Sequence, residues 1–391
     1  MICSDHLDLD YEGVISESWY EKSDDDPNWS KVNQLKSELI LFLKNCDNKN
    51  GKQQIDKSKM IQWIVNILDA FNDQRKPIAI VNRRTWTNFS VDTQLGIVLK
   101  DEIEDFTFPE TERRARMVVL LCRVYLLLRQ NKFASKKDLY YRDKSMYGTQ
   151  SICDDLIADL CCVTYNSRRQ LHILSSAKGL IYGRLEFTSE NNRIRCMDFK
   201  SGVSIGDSNE MKDLKSDAKF ILVVEKDASF QYLIDEKIID KFPIILITGK
   251  GYPDLDTRCC VKSLSCQLQL PVFVLVDCNP HGLAIFLTYR FGSRSMAHEA
   301  HNCTVTQAKW FGLLPTELEK FNIPDEQMMP LSKDDLKMIK SFKHRPYITS
   351  DKLIMEQVEF MLKKNRKAEI QSIENVIGTY LPHKIKNGYW I

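Results

Sequence analysis

Two carboxylates, Glu225 in "VVEKDA" and Asp277 in "VDCNPHG", each follow directly on an apolar run that reads as a strand. In open parallel sheets functional groups gather beyond the carboxyl ends of the strands. Two acids on one such edge repel, with no obvious basic partner in their immediate turns, and a hard divalent cation relieves the repulsion. Magnesium suits the pair, because it takes one or two carboxylates and keeps waters for phosphate oxygens. Asn279 adds an amide oxygen but no charge, so the candidate metal set is Glu225, Asp277 and a weaker Asn279. The rival reading makes each acid the N-cap of the helix that follows. A third apolar run ends in "TGKG", half of a phosphate loop without its GxxxxGK[ST] frame. Its glycines permit close backbone approach to another strand or a phosphodiester. No GxSxG, HExxH or Cys/His pair is present, which excludes the common hydrolase and metalloprotease centres.

These positions require alternating strands and helices. "FILVVEK", "PIILITGKG" and "LPVFVLVDC" read as buried strands, and "SFQYLIDEKIIDKF", "DLDTRCCVKSLSCQL" and "GLAIFLTYRFG" as helices between and after them. That alternation implies βαβ units and a mostly parallel sheet. Upstream, "KVNQLKSELILFLKN" and "KMIQWIVNILDAF" are amphipathic helices whose apolar stripes suit either the chain's own core or a partner. A long helix is expected over about Arg113–Arg129. Ser135-Lys136-Lys137-Asp138 forms a capping box, so a short helix starts near Lys136. A third helix covers "QSICDDLIADLCCVTY", and Leu171–Leu174 and Leu180–Phe187 read as a hairpin around Lys178-Gly179. Three helices and a hairpin describe a winged helix, whose helix and wing address a nucleic acid. Lys136, Lys137, Arg142, Arg168, Arg169, Lys178 and Arg184 mark the elements it would present. His172 in the hairpin reads as structural, while His281 either supports its turn or touches DNA.

The chain of 391 residues has room for two or three domains, and its net charge of +2 confines any nucleic-acid surface to a local patch. Twelve cysteines without a CxxC pair read as reduced thiols. No run reaches the roughly 18 apolar residues of a membrane helix, and the acidic start lacks the layout of a signal peptide. A cytosolic or nuclear protein is expected, with no membrane partner.

The motifs "SKKDLYYRD", "SRRQLHILSSAKGLIYG", "ILVVEKDASFQYLID", "ITGKGYPDLDTR", "PVFVLVDCNPHG", "AKWFGLLPTEL" and "NGYWI" occur in this order, from roughly residue 80 to the end. Together they resemble the family of the meiotic double-strand-break protein, a type IIB topoisomerase relative and the eukaryotic counterpart of the topoisomerase VI A subunit. The resemblance implies an α/β fold, α+β overall. It comprises partner-docking helices after an acidic start (1–80), a winged-helix cleavage domain (81–190), a linker (191–216), and a topoisomerase-primase (Toprim) domain with a C-terminal extension (217–391). It implies a tyrosine that attacks a DNA phosphodiester and stays joined to the 5′ phosphate, with Mg2+ as cofactor. Periodicity leaves Tyr140 and Tyr141 undecided; the family motif places the nucleophile at Tyr141. Lys137, Arg168, Arg169, Lys178, Lys250 and Arg258 become expected phosphate contacts. A second copy on double-stranded DNA, a topoisomerase VI B-like subunit docked at Trp63, Ile64 and Ile67, meiotic accessory proteins and a nuclear location are implied too. Two positions depart from the family pattern: Lys137 stands where arginine is usual, and Asp277-x-Asn279 replaces DxD. The second departure leaves room for an alternative, a DNA-binding scaffold weakened in cleavage. A hydrolytic nuclease would explain the acidic sheet but give the tyrosine no role.

Overall fold

Phe220–Val224, Ile244–Thr248 and Val272–Leu275 are buried at every position, the mark of strands covered on both faces. The computed structural model that contains them describes residues 26–46, 57–72, 88–100, 111–164, 166–174, 177–321 and 323–391. The chain divides into two compact units. One comprises Met1–Asp47, Ala177–Phe291 and Cys303–Ile391; the other comprises Asn48–Ser176 and Gly292–Asn302.

The first unit is built on a six-stranded sheet. Its order is Lys309–Gly312, Val272–Leu275, Phe220–Val224, Ile244–Thr248, Leu180–Gly183 and Val203–Ser204. The first four strands are parallel and the last two join antiparallel. Each inner strand leads into a helix: Asp227–Asp235, Leu255–Leu268 and Pro280–Phe291. The expected single helix over "SFQYLIDEKIIDKF" is broken at Lys237, which takes a left-handed φ of 53° before the short helix Ile238–Lys241. Asp254 caps Leu255–Leu268 by accepting the Thr257 N–H at 2.8 Å.

Two expectations about strand pairing are corrected here. Ile173–Leu174 and Leu180–Gly183 do not form a hairpin. The first pairs in parallel with Ala134–Ser135, and the second lies antiparallel against Ile244–Thr248. Alternation in a sequence reveals a strand but not its partner. Gly183 is what admits the second pairing, since a Cβ there would stand 2.5 Å from the Ile244 carbonyl oxygen. The stretch 191–216 is not a bare linker either. It supplies Asn192–Arg195 and Lys212–Lys215, which flank Glu186–Ser189 in a three-stranded sheet. Glu186 pairs with Arg193 and Arg195, each at 3.1 Å, so ionic cross-strand pairs replace the apolar alternation that would have disclosed these strands.

The second unit packs helices around Thr111–Gln130. Leu120, Leu121, Val124 and Leu128 of that helix meet Leu139, Leu156, Leu160 and Leu171 in one core. Met60 and Ile64 from Lys57–Asn72 enter the same cluster. The Ser135 capping box forms: Ser135 Oγ accepts the Asp138 N–H at 3.1 Å, and Asp138 Oδ2 accepts the Ser135 N–H at 2.9 Å. It starts the helix Lys136–Arg142, which carries both tyrosines and packs on the helix Gln150–Thr164.

Candidate active-site residues

Strand register brings the two acids together. Val224 stands opposite Leu275, and the Glu225 N–H donates to the Leu275 carbonyl at 3.0 Å. Just past the strands, the Asp277 N–H donates to Glu225 Oε2 at 2.9 Å. Both residues are buried, Glu225 to 8% and Asp277 to 2% exposure. Burial, followed by the charge of Asp277, pushes the Glu225 carboxyl up to about 7. Asp277 is also raised, chiefly by burial. A buried carboxylate pair of this kind is short of positive charge, which is the electrostatic fit a hard cation requires.

Part of that need is met from within. Lys226 Nζ lies 3.0 Å from Asp277 Oδ2 and 3.0 Å from Glu369 Oε2. The expectation of no basic partner is therefore corrected: the residue next to Glu225 in sequence turns its ammonium onto Asp277. Burial pulls the Lys226 ammonium down, but its bonds to Glu369 and Asp277 outweigh this and leave it raised and charged. The ammonium shows that this spot accepts a cation. Glu369 escaped sequence reasoning altogether. It arrives through a backbone bridge, in which Cys278 and Ala368 exchange N–H···O bonds of 2.9 and 3.1 Å. The adjacent Ile370 N–H donates to Asp277 Oδ1 at 2.9 Å. No local signal marks such a contact; only the adjacency of Lys226 to Glu225 was available as a clue.

Asn279 is oriented by its own helix. The Gly282 N–H donates to Asn279 Oδ1 at 2.8 Å, and the Asn279 amide faces Asp277 Oδ2 at 3.5 Å. A backbone N–H fixes which end is oxygen, since an amide NH2 cannot accept it. Asn279 thus caps Pro280–Phe291, a bond that takes one of the two lone pairs of its carbonyl oxygen. Gly282 packs directly on this turn: a Cβ there would lie 2.2 Å from the Asp277 carbonyl oxygen. Because the obstacle is backbone, Gly282→Ala is expected to cost about 1–3 kcal/mol and to weaken divalent-cation binding. Urea unfolding with and without Mg2+ measures both.

The tyrosines are separated by the helix that bears them. Tyr140 points into the core at 8% exposure and donates its hydroxyl to the Gly148 carbonyl at 3.2 Å. Tyr141 is 65% exposed. Just beyond it, Arg123 grips Asp143 through two 2.8 Å bonds, joining the end of the tyrosine helix to Thr111–Gln130. Bidentate charge-assisted pairs of this geometry hold orientation well.

The expected phosphate contacts fall into two groups. Lys137, Lys178 and Lys250 are exposed. Lys178 and Lys250 are also neighbours, Lys178 Nζ donating to the Lys250 carbonyl at 3.2 Å. Arg169 is half-buried, over the Phe133 ring at 5.6 Å, and Phe133 stacks on His172 at 4.2 Å. Arg168 and Arg258 are corrected. Arg168 is turned inward against Glu299, Nε to Oε1 at 3.8 Å with its side chain 13% exposed, and Arg258 is only 3% exposed. Ile64 is also corrected: it is fully buried in its own unit's core and offers no docking surface. The Trp63 and Ile67 side chains lie outside the described residues. His281 is exposed, its Nδ1 3.3 Å from the Tyr252 hydroxyl, which suits support of the turn.

Known families match the spans that hold most of the sheet and the tyrosine helix. Residues 220–385 match the family model of the TOP6A-Spo11 Toprim domain, and residues 112–173 match that of type IIB DNA topoisomerase. Over 359 residues the chain is 36% identical to the human "Meiotic recombination protein SPO11", covering 87% of this chain and 91% of that protein. The mouse protein of the same name is 37% identical over 325 residues, covering 80% and 82%. The A subunit of DNA topoisomerase 6 from Arabidopsis thaliana is 32% identical over 305 residues, covering 75% and 71%. By these matched spans and identities the chain belongs to the family of Spo11 and the topoisomerase 6 A subunit.

Proposed function

We propose that the protein makes the DNA double-strand breaks that initiate meiotic recombination, acting in the nucleus as a type IIB topoisomerase-related transesterase. The observation that carries this reading is the contrast within one dipeptide: Tyr140 is tied into the core, while Tyr141 is largely open to solvent. The Tyr141 oxygen attacks phosphorus, the bond to the 3′ oxygen breaks, and the 3′ oxygen takes up a proton. The phenolic proton leaves to solvent or base, and the product is a 5′ phosphotyrosyl link with a free 3′ hydroxyl. A phenol with an ordinary pKa of about 10 needs help to lose that proton at neutral pH. Lys137 and Arg142, both exposed on the same helix, supply positive charge beside it. Glu225 and Asp277 would hold Mg2+, which when bound supplies charge stabilisation to the phosphate or the leaving oxygen.

A phosphodiester in each strand calls for two tyrosines, so the working form is two copies on double-stranded DNA. Meiotic accessory proteins and a topoisomerase VI B-like subunit complete the assembly. Lys137, Arg169, Lys178 and Lys250 are the proposed phosphate contacts. The test incubates the protein, its partners and Mg2+ with end-labelled duplex DNA and looks for protein joined to 5′ ends. Free 5′ phosphates without adducts would overturn transesterification.

The engagement of Asn279 with Gly282 favours a second reading, in which the site is one carboxylate short and cleaves feebly, leaving a scaffold. Asn279→Asp keeps the cap and adds a charge beside Asp277. Mg2+ affinity is expected to rise about tenfold, a fraction of the Coulomb energy available at such a distance. Unchanged affinity by titration calorimetry would show that this position does not sense the cation.

A further inference from the structure

Cys161, His298 and Glu299 bring a thiol, an imidazole and a carboxylate together inside the smaller unit, with one ligand atom of each within 4.8 Å of the others. Cys161 is fully buried, and the His298 and Glu299 side chains are 4% and 2% exposed. Cys161 comes from the helix Gln150–Thr164, and His298 and Glu299 from the segment 294–299 that packs on it. The three residues share no zinc-like spacing in the sequence, because the fold supplies the proximity.

A buried imidazole ordinarily finds a hydrogen-bond partner for at least one nitrogen. Among the described residues, neither nitrogen of His298 has one within hydrogen-bonding distance. The nearest acid oxygen, Glu299 Oε1, lies 3.6 Å from Nε2. The same carboxylate faces Arg168 at 3.8 Å. A metal uses the imidazole lone pair instead. Thiolate, imidazole and carboxylate together form a zinc donor set. The sulfur disfavours magnesium and calcium, which select all-oxygen sites.

We propose that Cys161, His298 and Glu299 form a zinc site. Zinc displaces the Cys161 proton, and the thiolate and carboxylate balance the charge of the ion. The three protein ligands leave a fourth position for water or a neighbouring group. The site staples the segment 294–299 to the helix on which the tyrosine helix packs, so its role is to hold the platform beneath Tyr141. It differs from the Glu225 and Asp277 pair in residues, in donor chemistry and in metal.

The test uses the full chain, equilibrated with buffered Zn2+ in excess Mg2+, desalted and analysed for metal. About one zinc per chain is expected. His298→Phe keeps the ring volume and should lower zinc content at least about tenfold, with the far-ultraviolet circular dichroism unchanged. Substituting Co2+ should give a thiolate-to-cobalt charge-transfer band that disappears in Cys161→Ala. Wild-type protein that retains no zinc, or equal zinc in wild type and His298→Phe, would overturn the site. If Cys161→Ala does not fold, the folded His298→Phe variant decides alone.

Discussion

Tyr141→Phe is expected to abolish covalent attachment to DNA while leaving the protein folded. The substitution removes one hydroxyl from a ring that is 65% exposed and keeps the ring's contact with Tyr140, at 5.2 Å between centroids. Surface changes of this kind move stability by no more than about 0.5 kcal/mol. If Tyr141 is the nucleophile as proposed, removing it costs cleavage at least about 10⁴-fold. The control is Tyr140→Phe. It loses the hydroxyl bond to Gly148, a loss of about 1 kcal/mol, and should still form adducts. Denaturing electrophoresis of labelled DNA reads both variants. Adducts that persist in Tyr141→Phe and vanish in Tyr140→Phe would move the nucleophile one residue back.

The second large effect runs against intuition, because removing an acid should stabilise the protein. Burial and Asp277 hold the Glu225 carboxyl at about 7, above its ordinary value of 4.5. A carboxyl raised in the folded state favours folding fully below the unfolded value and loses that contribution as pH climbs through the folded one. Between pH 4.5 and about 7 the metal-free protein therefore loses stability from this group, and above pH 7 the loss is complete. By linkage it amounts to about 3 kcal/mol. Glu225→Gln keeps an oxygen for the Asp277 N–H and carries no charge. Without metal at pH 8 it should be about 3 kcal/mol more stable than wild type, with the gap closing near pH 4. Adding Mg2+ should stabilise wild type and hardly affect the variant, which should also lose cleavage. A variant less stable than wild type at pH 8 would mean that Glu225 is not strained by its surroundings.

The elements that carry this chemistry were legible because their signals are local. Val223 and Val224 before Glu225, and Val274, Leu275 and Val276 before Asp277, mark buried strands, and a parallel sheet puts their carboxyl ends on one edge. The Ser135 capping box announced the tyrosine helix in four residues. What stayed hidden depends on partners far along the chain. The fate of Leu180–Gly183 turned on the distant strand Ile244–Thr248, for which Gly183 made room. Nothing local marks Lys226 as a partner, and only the fold points it at Asp277. Arg168 and Arg258 belonged to basic motifs, yet nothing local distinguishes an inward-facing arginine from one that meets phosphate. Family resemblance points to Tyr141, and the helix leaves that ring, rather than Tyr140, open to solvent.

The bond from the Ile370 N–H to Asp277 spans 93 residues of sequence. During synthesis at roughly 5–20 residues per second, the turn bearing Asp277 exists for several seconds before the segment that braces it has been made. Over that interval the tyrosine and both acids are already present in the growing chain, but the acidic turn lacks its brace. A message interrupted between the two would yield a protein containing Tyr141, Glu225 and Asp277 and no finished cation pocket. Under the proposed function, the cation pocket is therefore completed only when nearly all of the chain has been made.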